Sequence, residues 1–400
     1  GAAPVKRACQ AESPGLRSTA VPETPISRRP APSPAPAGGD LAPSRAHGLF
    51  RTKSLDDLLE SAGQAGERLR RVLGPVHVTL LGIGAIVGAG IFATIGTAAA
   101  GDAARPGAGP SLMLSFVLTA IVCAFTALCY AEFASMVPIS GSAYTYAYST
   151  LGELVAWIIG WDLIIEYAVG NVAVAISWAN YFRTLLEGVG IRIPLWLSTD
   201  YRTAARIPGL YDSAPHVFGV PIVVNLVAFA IVALVTVVLV WGIRESARFN
   251  AGMVLVKIVV LLFFIVVALK FVPASEMSLH WVPFQPNGWG GTLAGAAVVF
   301  FAYIGFDAVS TVAEETRNPS RDLPAGILAS LAVCTVLYIA VAAVFTGMLP
   351  YKDLVQRLST EQAEPLTMAL QHVAPQARWA TGIVAFGSVV AHTAVLLVFQ

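Results

Sequence analysis

Charged residues are scarce in this chain of 400 residues: Lys and Arg number 25 and Asp and Glu 24, so 12% of the residues carry charge, against about a quarter in ordinary soluble domains. Too little charge is left to cover a soluble surface of normal extent. The formal net charge of +1, with basic residues not gathered on one surface, also removes the footprint of a nucleic-acid-binding protein. Cysteine is equally sparse. Cys9, Cys123, Cys129 and Cys334 show neither metal-ligand spacing nor the density of a disulfide framework, so buried apolar packing is their expected role. No glycine-rich loop followed by Lys and Ser or Thr is present to cradle a nucleotide phosphate, so ATP is not the expected energy source. The His, Cys and acidic residues inside apolar runs form no nucleophile or metal-ligand set, and no enzymatic activity, cofactor or metal is expected.

What the chain does contain is apolar: 56% of its residues are hydrophobic and the mean hydropathy is +0.70. This composition predicts an all-α polytopic membrane protein. Residues 1–50, typified by "PETPISRRPAPSPAPAGGD", hold too few large apolar groups to fold and read as a disordered tail. No short apolar core with a small-residue cleavage site precedes them, so the first spanning helix is expected to direct insertion. Residues 51–74 read as a cytoplasmic amphipathic segment, with Leu55, Leu58, Leu59, Leu69, Val72 and Leu73 at near-helical spacing. Residues 75–400 form the transmembrane domain.

Windows of bilayer length give about eight candidate spans, at roughly 76–100, 112–136, 153–183, 221–242, 251–272, 290–314, 323–348 and 379–400. Arg68, Arg70 and Arg71 before the first span predict a cytoplasmic N-terminus. Alternation then places Arg244, Arg248, Arg317 and Arg321 inside, as the positive-inside rule requires, while the long outer loop near 184–220 carries Arg192, Arg202 and Arg206 against it. Glu132 with "SMVPISGSAYTY" reads as the cytoplasmic turn between spans two and three. The last apolar run is unfinished at Gln400, and the gene product is expected to continue beyond it.

Two spans are interrupted. The first contains "GIGAIVGAGIF", Gly82 to Phe92, and the sixth has Gly305 and Asp307 in mid-run. Glycine in the first span alone fits close helix packing as well, since Gly84 and Gly88 have the spacing of a helix-contact motif. Matched breaks in two halves point instead to an inverted-repeat transporter with its site where the helices part. Broken helices expose N–H and C=O groups that are tolerated at membrane depth only where they face protein, water or a ligand. A zwitterion supplies both partners. Amides near Gly88, Ala89 and Gly90 suit a carboxylate. Carbonyls near Ile86 and from Phe300 through Ala302 to Ile304 suit an ammonium.

The stretches "GIGAIVGAGIF", "YAEFASMVPISGSAYTY", "GWDLIIEYAVG" and "FFAYIGFDAVSTVAEETRNPSRDLPAGI" resemble the amino acid-polyamine-organocation superfamily of permeases, within its bacterial cationic amino acid transporter-like branch. The resemblance runs from about Phe50 to the end. It implies a LeuT-like five-plus-five inverted-repeat transporter fold with two further helices, truncated here within about the eighth transmembrane helix. It also implies that Gly88, Ala89 and Gly90 hold the substrate carboxylate, that Ile86 offers a carbonyl to the amine, and that Phe300 caps the substrate beside carbonyls of Ala302 and Ile304. Relatives commonly carry a hydroxyl residue where this chain has Ala89, which leaves the side-chain preference open. Cationic amino acids are suggested by the branch alone.

Lys257 lies inside the fifth span, where a lysine costs about 2.5 to 3.5 kcal/mol on insertion scales. By position it can snorkel to the cytoplasmic interface. The resemblance implies instead that its ammonium stands where sodium-coupled relatives place an ion, and so couples transport to protons. Glu166, with Asp162 one turn earlier on the same face, needs a partner at membrane depth, for which Lys257 is a candidate. Asp307 suits an acceptor that stabilises the sixth-span break, and His392 a packed, hydrogen-bonded role. The expected function is therefore a proton-coupled amino acid permease of the cytoplasmic membrane, working by alternating access. An exchanger without net proton coupling and a non-transporting amino acid sensor are the alternatives, and the partners expected are the amino acid, protons and the bilayer.

Overall fold

In lipid every backbone polar group must be satisfied within its own segment, so apolar runs of bilayer length become helices. The computed structural model describes residues 50–54, 71–102, 104–205, 207–241, 247–360 and 364–400. Residues 1–49 of the tail read over 1–50, and most of the amphipathic segment read over 51–74, lie outside the described residues. Among the described ones, six helices are long and apolar enough to cross a membrane, or seven if one bent pair counts as a single span.

That bent pair is the first expected span: α1 (Pro75–Ile86) and a second half made of a π-turn at Gly90–Thr94 and α2 (Ile95–Ala100), inclined to each other by 41°. Then follow α3 (Leu112–Met136), α4 (Ser142–Thr150), α5 (Glu153–Gly188), α6 (Leu226–Val240), α7 (Ala247–Phe271), α8 (Ala274–His280) and α9 (Gly288–Val299). After α9 the sixth span continues as 3-10 turns at Phe300–Tyr303 and Asp307–Glu315. The chain closes with α10 (Pro319–Met348), α11 (Tyr351–Thr360), α12 (Pro365–Val373) and α13 (Arg378–Phe399). The fourth expected span is shorter than its apolar run: α6 has 15 residues, about 22 Å of helical rise. The turn expected at 135–146 is only partly a turn. Residues 137–141 carry it, and Ser142–Thr150 is helical, with Tyr146 stacked on Phe133 of α3 at a ring-centroid distance of 5.2 Å.

Small and hydroxyl side chains fasten the helices where apolar contact gives little preference over lipid. Between α3 and α9, Ser111 and Thr292 share a hydrogen bond of 2.7 Å, Ser115 donates to the Thr292 carbonyl at 2.7 Å, and Thr119 donates to that of Ala296 at 3.0 Å. The long helix α10 packs along α3 and α1, and α13 along α5 and α7. Fully buried Phe116, Tyr303 and Tyr338 form an aromatic knot between α3, the sixth span and α10. Before α1, Leu73 exchanges backbone hydrogen bonds with Glu315 and Arg317, tying the entry of the first span to the exit of the sixth.

Candidate functional site

The first break falls at Val87–Gly88, where Val87 leaves the helix with ψ of 97°. Its orphan carbonyls, which ordinarily seek water, are taken by side chains from two other helices. Lys257 of α7 donates from Nζ to the Gly84 carbonyl at 2.5 Å, and Tyr338 of α10 donates to that of Ile86 at 2.9 Å. Beyond the break Tyr181 of α5 donates to the Phe92 carbonyl at 2.8 Å. Among the described residues no backbone carbonyl accepts from the Gly88 N–H. The Gly88 carbonyl accepts from Ile91 and Phe92, restarting the second half-helix there. Lys257 is 0% exposed and points inward to the broken helix, so the snorkelling orientation is not the one adopted.

The sixth-span break lies directly against the first. Ile304 is extended, and Gly305 has φ of +113°, a conformation that side chains disfavour. An added Cβ at Gly305 would meet the backbone of Ala85 at 2.9 Å, and one at Gly90 would lie 2.2 Å from Ala302 Cα. The two breaks thus touch main chain to main chain. Gly88, Ala89, Gly90 and Ala302 are all buried and Ile304 partly so. Phe300 is half-exposed, whereas Phe301 packs on the apolar cluster that contains Ala89. That cluster takes Val174, Ala175 and Ala179 from α5, Ala228, Ile231 and Val235 from α6, and Val395 and Leu396 from α13.

Glu166 and Lys257 form no ion pair among the described residues. Glu166 is partly buried and has Asp307 as its electrostatic neighbour. Asp307 is 7% exposed and accepts from Tyr167 at 2.5 Å and from Ser142 at 3.4 Å. Its carboxylate therefore joins α4 and α5 to the sixth span just past the break. Asp162 is exposed. His392 is fully buried, with Nδ1 2.6 Å from the Ser388 carbonyl and its ring beside Phe92 and Tyr181. No His, Cys, Asp and Glu group among the described residues is arranged to hold a metal ion.

Sequence reading alone missed Tyr181, Tyr338 and Phe301. A tyrosine inside an apolar run is an ordinary core residue, and only the fold shows that two of these phenols end on carbonyls of the broken helix. A cavity of about 290 Å³ lies between the first half of the first broken span and the second half of the sixth, lined by His77, Leu80, Leu81, Asn250, Thr311 and Glu315 among others.

Residues 73–399 match the family model described as amino acid permease. The chain is 48% identical to the branched-chain amino acid permease BcaP of Bacillus subtilis (strain 168) over 351 residues, covering 88% of this chain and 69% of that protein. It is 45% identical to the methylthioribose transporter of the same organism, covering 87% of this chain and 68% of that one. It is also 38% identical to the chloroplastic cationic amino acid transporter 9 of Arabidopsis thaliana over 84% of this chain, spanning 54% of that relative. Among solved structures, MhsT in complex with L-phenylalanine matches with a TM-score of 0.55 at 16% identity, covering 84% of this chain and 73% of that one. The last likeness concerns the fold alone.

Proposed function

The chain belongs to the amino acid permease family, and on that premise we propose that it is a proton-coupled secondary transporter of the cytoplasmic membrane whose substrate sits at the two crossed breaks. The crossing of the two breaks, with Gly90 against Ala302 and Gly305 against Ala85, the neighbour of the Gly84 that Lys257 holds, carries this reading, because it joins ligand-ready backbone to a buried lysine. In the proposal the Gly88–Gly90 amides hold the carboxylate and carbonyls of Ile86, Phe300, Ala302 and Ile304 receive the ammonium. With Tyr338 already on Ile86, that carbonyl keeps one lone pair for the substrate. Phe301 serves better than Phe300 as the covering aromatic, since it is the one packed toward Ala89.

Lys257 acts as the coupling residue, its charge holding the inner half of the broken helix. Loss of its proton would leave a neutral amine with a weaker hydrogen bond to Gly84 and so ease the swing of that half. Glu166 with Asp307 is the second candidate for proton handling. The N-terminus is cytoplasmic in this reading, and the inner cavity is the exit route.

For the side chain we favour a branched or otherwise apolar amino acid over a cationic one. The cluster around Ala89 is wholly aliphatic at its core. Glu166 lies eight residues from Val174, about 12 Å along α5. The relationship to a permease named for branched-chain amino acids supports the same preference.

The test is uptake of a labelled amino acid panel into liposomes holding the native protein, with and without an inward proton gradient, beside Lys257→Ala. Accumulation of apolar amino acids driven by the gradient, abolished by the substitution while binding survives, is expected. Uptake indifferent to the gradient but dependent on preloaded substrate would replace this mechanism by exchange. Saturable binding with no uptake would replace it by sensing.

A further inference from the structure

One buried carboxylate lies away from both breaks. Glu364 stands immediately before α12 and is 6% exposed, although nothing in the proposed cycle uses it. Its main-chain carbonyl starts the helix, accepting from Thr367 Oγ1 and from the Met368 amide, each at 2.9 Å. Its side chain turns to α5, where Asn180 donates to Oε1 at 2.9 Å. The next residue, Pro365, is seated on the outer half of the broken helix, so closely that a Cβ at Gly96 would lie 2.5 Å from its ring. One side chain thus pins α12, which covers Gly90–Ala100, to the helix whose Tyr181 holds the Phe92 carbonyl of that same half.

We propose that Glu364 is a proton-binding latch on the outer face: its carboxyl fastens α12 over the broken helix, and taking up a proton from the outer compartment holds that lid shut. A carboxyl enclosed by protein favours its neutral form, and one released into water favours its ionised form. A proton therefore binds more tightly to the shut lid and shifts the population toward it. Burial pushes the carboxyl up to about 7 from its ordinary 4.5, against the pull of Asn180 and of Arg183. The sign follows from the raised value. The shut state gains relative to the open one as the outer pH falls below about 7, and the gain is complete below about 4.5. The gap between those two values caps the bias at roughly 300-fold.

Among the described residues, the charged and titratable groups acting on the latch are few. Arg183 acts on the carboxyl and also lies 3.7 Å from Glu187, and Tyr181 is its other ionisable neighbour on α5. The outer half-helix Gly90–Ala100 contributes no ionisable side chain, and no charged group of α7, α10 or α13 acts on the carboxyl.

The inference rests on the transporter reading only for which compartment this face meets. Its test reads lid opening without uptake, so its failure is distinct from a failure of proton-coupled transport. Ala369, a fully buried residue of α12, is replaced by Cys in the native protein, and labelling by a membrane-impermeant maleimide is followed in right-side-out vesicles. On acidifying the outside from about pH 8 to about pH 5.5, labelling is expected to slow by tenfold or more. In Glu364→Gln, which keeps the neutral form at every pH, it is expected to be slow throughout. Asn180→Ala, which removes a bond favouring the ionised form, is expected to move the midpoint to higher pH. The proposal is overturned if Glu364→Gln retains the pH response, or if Asn180→Ala leaves the midpoint in place. A Glu364→Gln that fails to fold leaves the midpoint in Asn180→Ala as the deciding result.

Discussion

Lys257, Tyr338 and Tyr181 do at the scale of single residues what water does at the ends of soluble helices. Lys257 and Tyr338 each bring one donor to a carbonyl that the broken helix has orphaned in an apolar interior, and Tyr181 brings one to the Phe92 carbonyl of the half that follows. Removing one such donor leaves a buried acceptor unsatisfied, which costs about 1 to 3 kcal/mol. Tyr338→Phe is accordingly expected to lower thermal stability by that order, read as a fall in unfolding temperature of the purified protein. An unchanged midpoint would show that the Ile86 carbonyl finds another donor. Lys257→Ala carries the same structural penalty. The reading of Lys257 as a coupling residue therefore depends on binding surviving in that variant while the gradient response disappears.

At the scale of elements, the crossing of the two broken spans leaves no room for side chains at two positions. Gly305→Ala would combine a strained φ of +113° with a clash against the Ala85 backbone. It is expected to abolish uptake and to reduce sharply the yield of folded protein on size exclusion. Gly382 of α13 has open space around it and no positive φ. There Gly382→Ala is expected to be neutral or to stabilise by about 0.5 to 1 kcal/mol. If the two variants behave alike, the glycine run reflects general helix softness and not this crossing. Asp307 belongs to the same scale. It joins α4 and α5 to the sixth span through Ser142 and Tyr167, so the short helix α4, read as a turn from sequence, becomes part of the wall around the break.

Across the whole domain the asymmetry is between the two faces. The first half of the first broken span and the second half of the sixth line an open cavity of about 290 Å³, while α12 is packed over the other half of the first broken span. Alternating access predicts that this arrangement reverses during transport. Cys introduced at Ala251, a cavity-lining position, is expected to be labelled from the face bearing the N-terminus. A transported amino acid is expected to change the labelling rate. Labelling from the opposite face alone would invert the topology proposed for the chain.

The sequence by itself determined the solvent and the architecture. Scarce charge and long apolar runs leave helices as the only economical answer to buried backbone polarity, and Gly82 to Phe92 and Gly305 mark where two of them yield. It also placed Lys257, Glu166 and Asp307 at a depth where each needs a partner. It did not assign those partners, because a hydrogen bond between residues 173 or 252 positions apart depends on which helix faces share a crossing. Glu166 looked toward Lys257 on sequence grounds and in the fold neighbours Asp307, while Lys257 reaches the Gly84 carbonyl. Phe301 and Phe300 are indistinguishable as adjacent letters, and only the rotation of a 3-10 turn turns one toward Ala89 and leaves the other half-exposed.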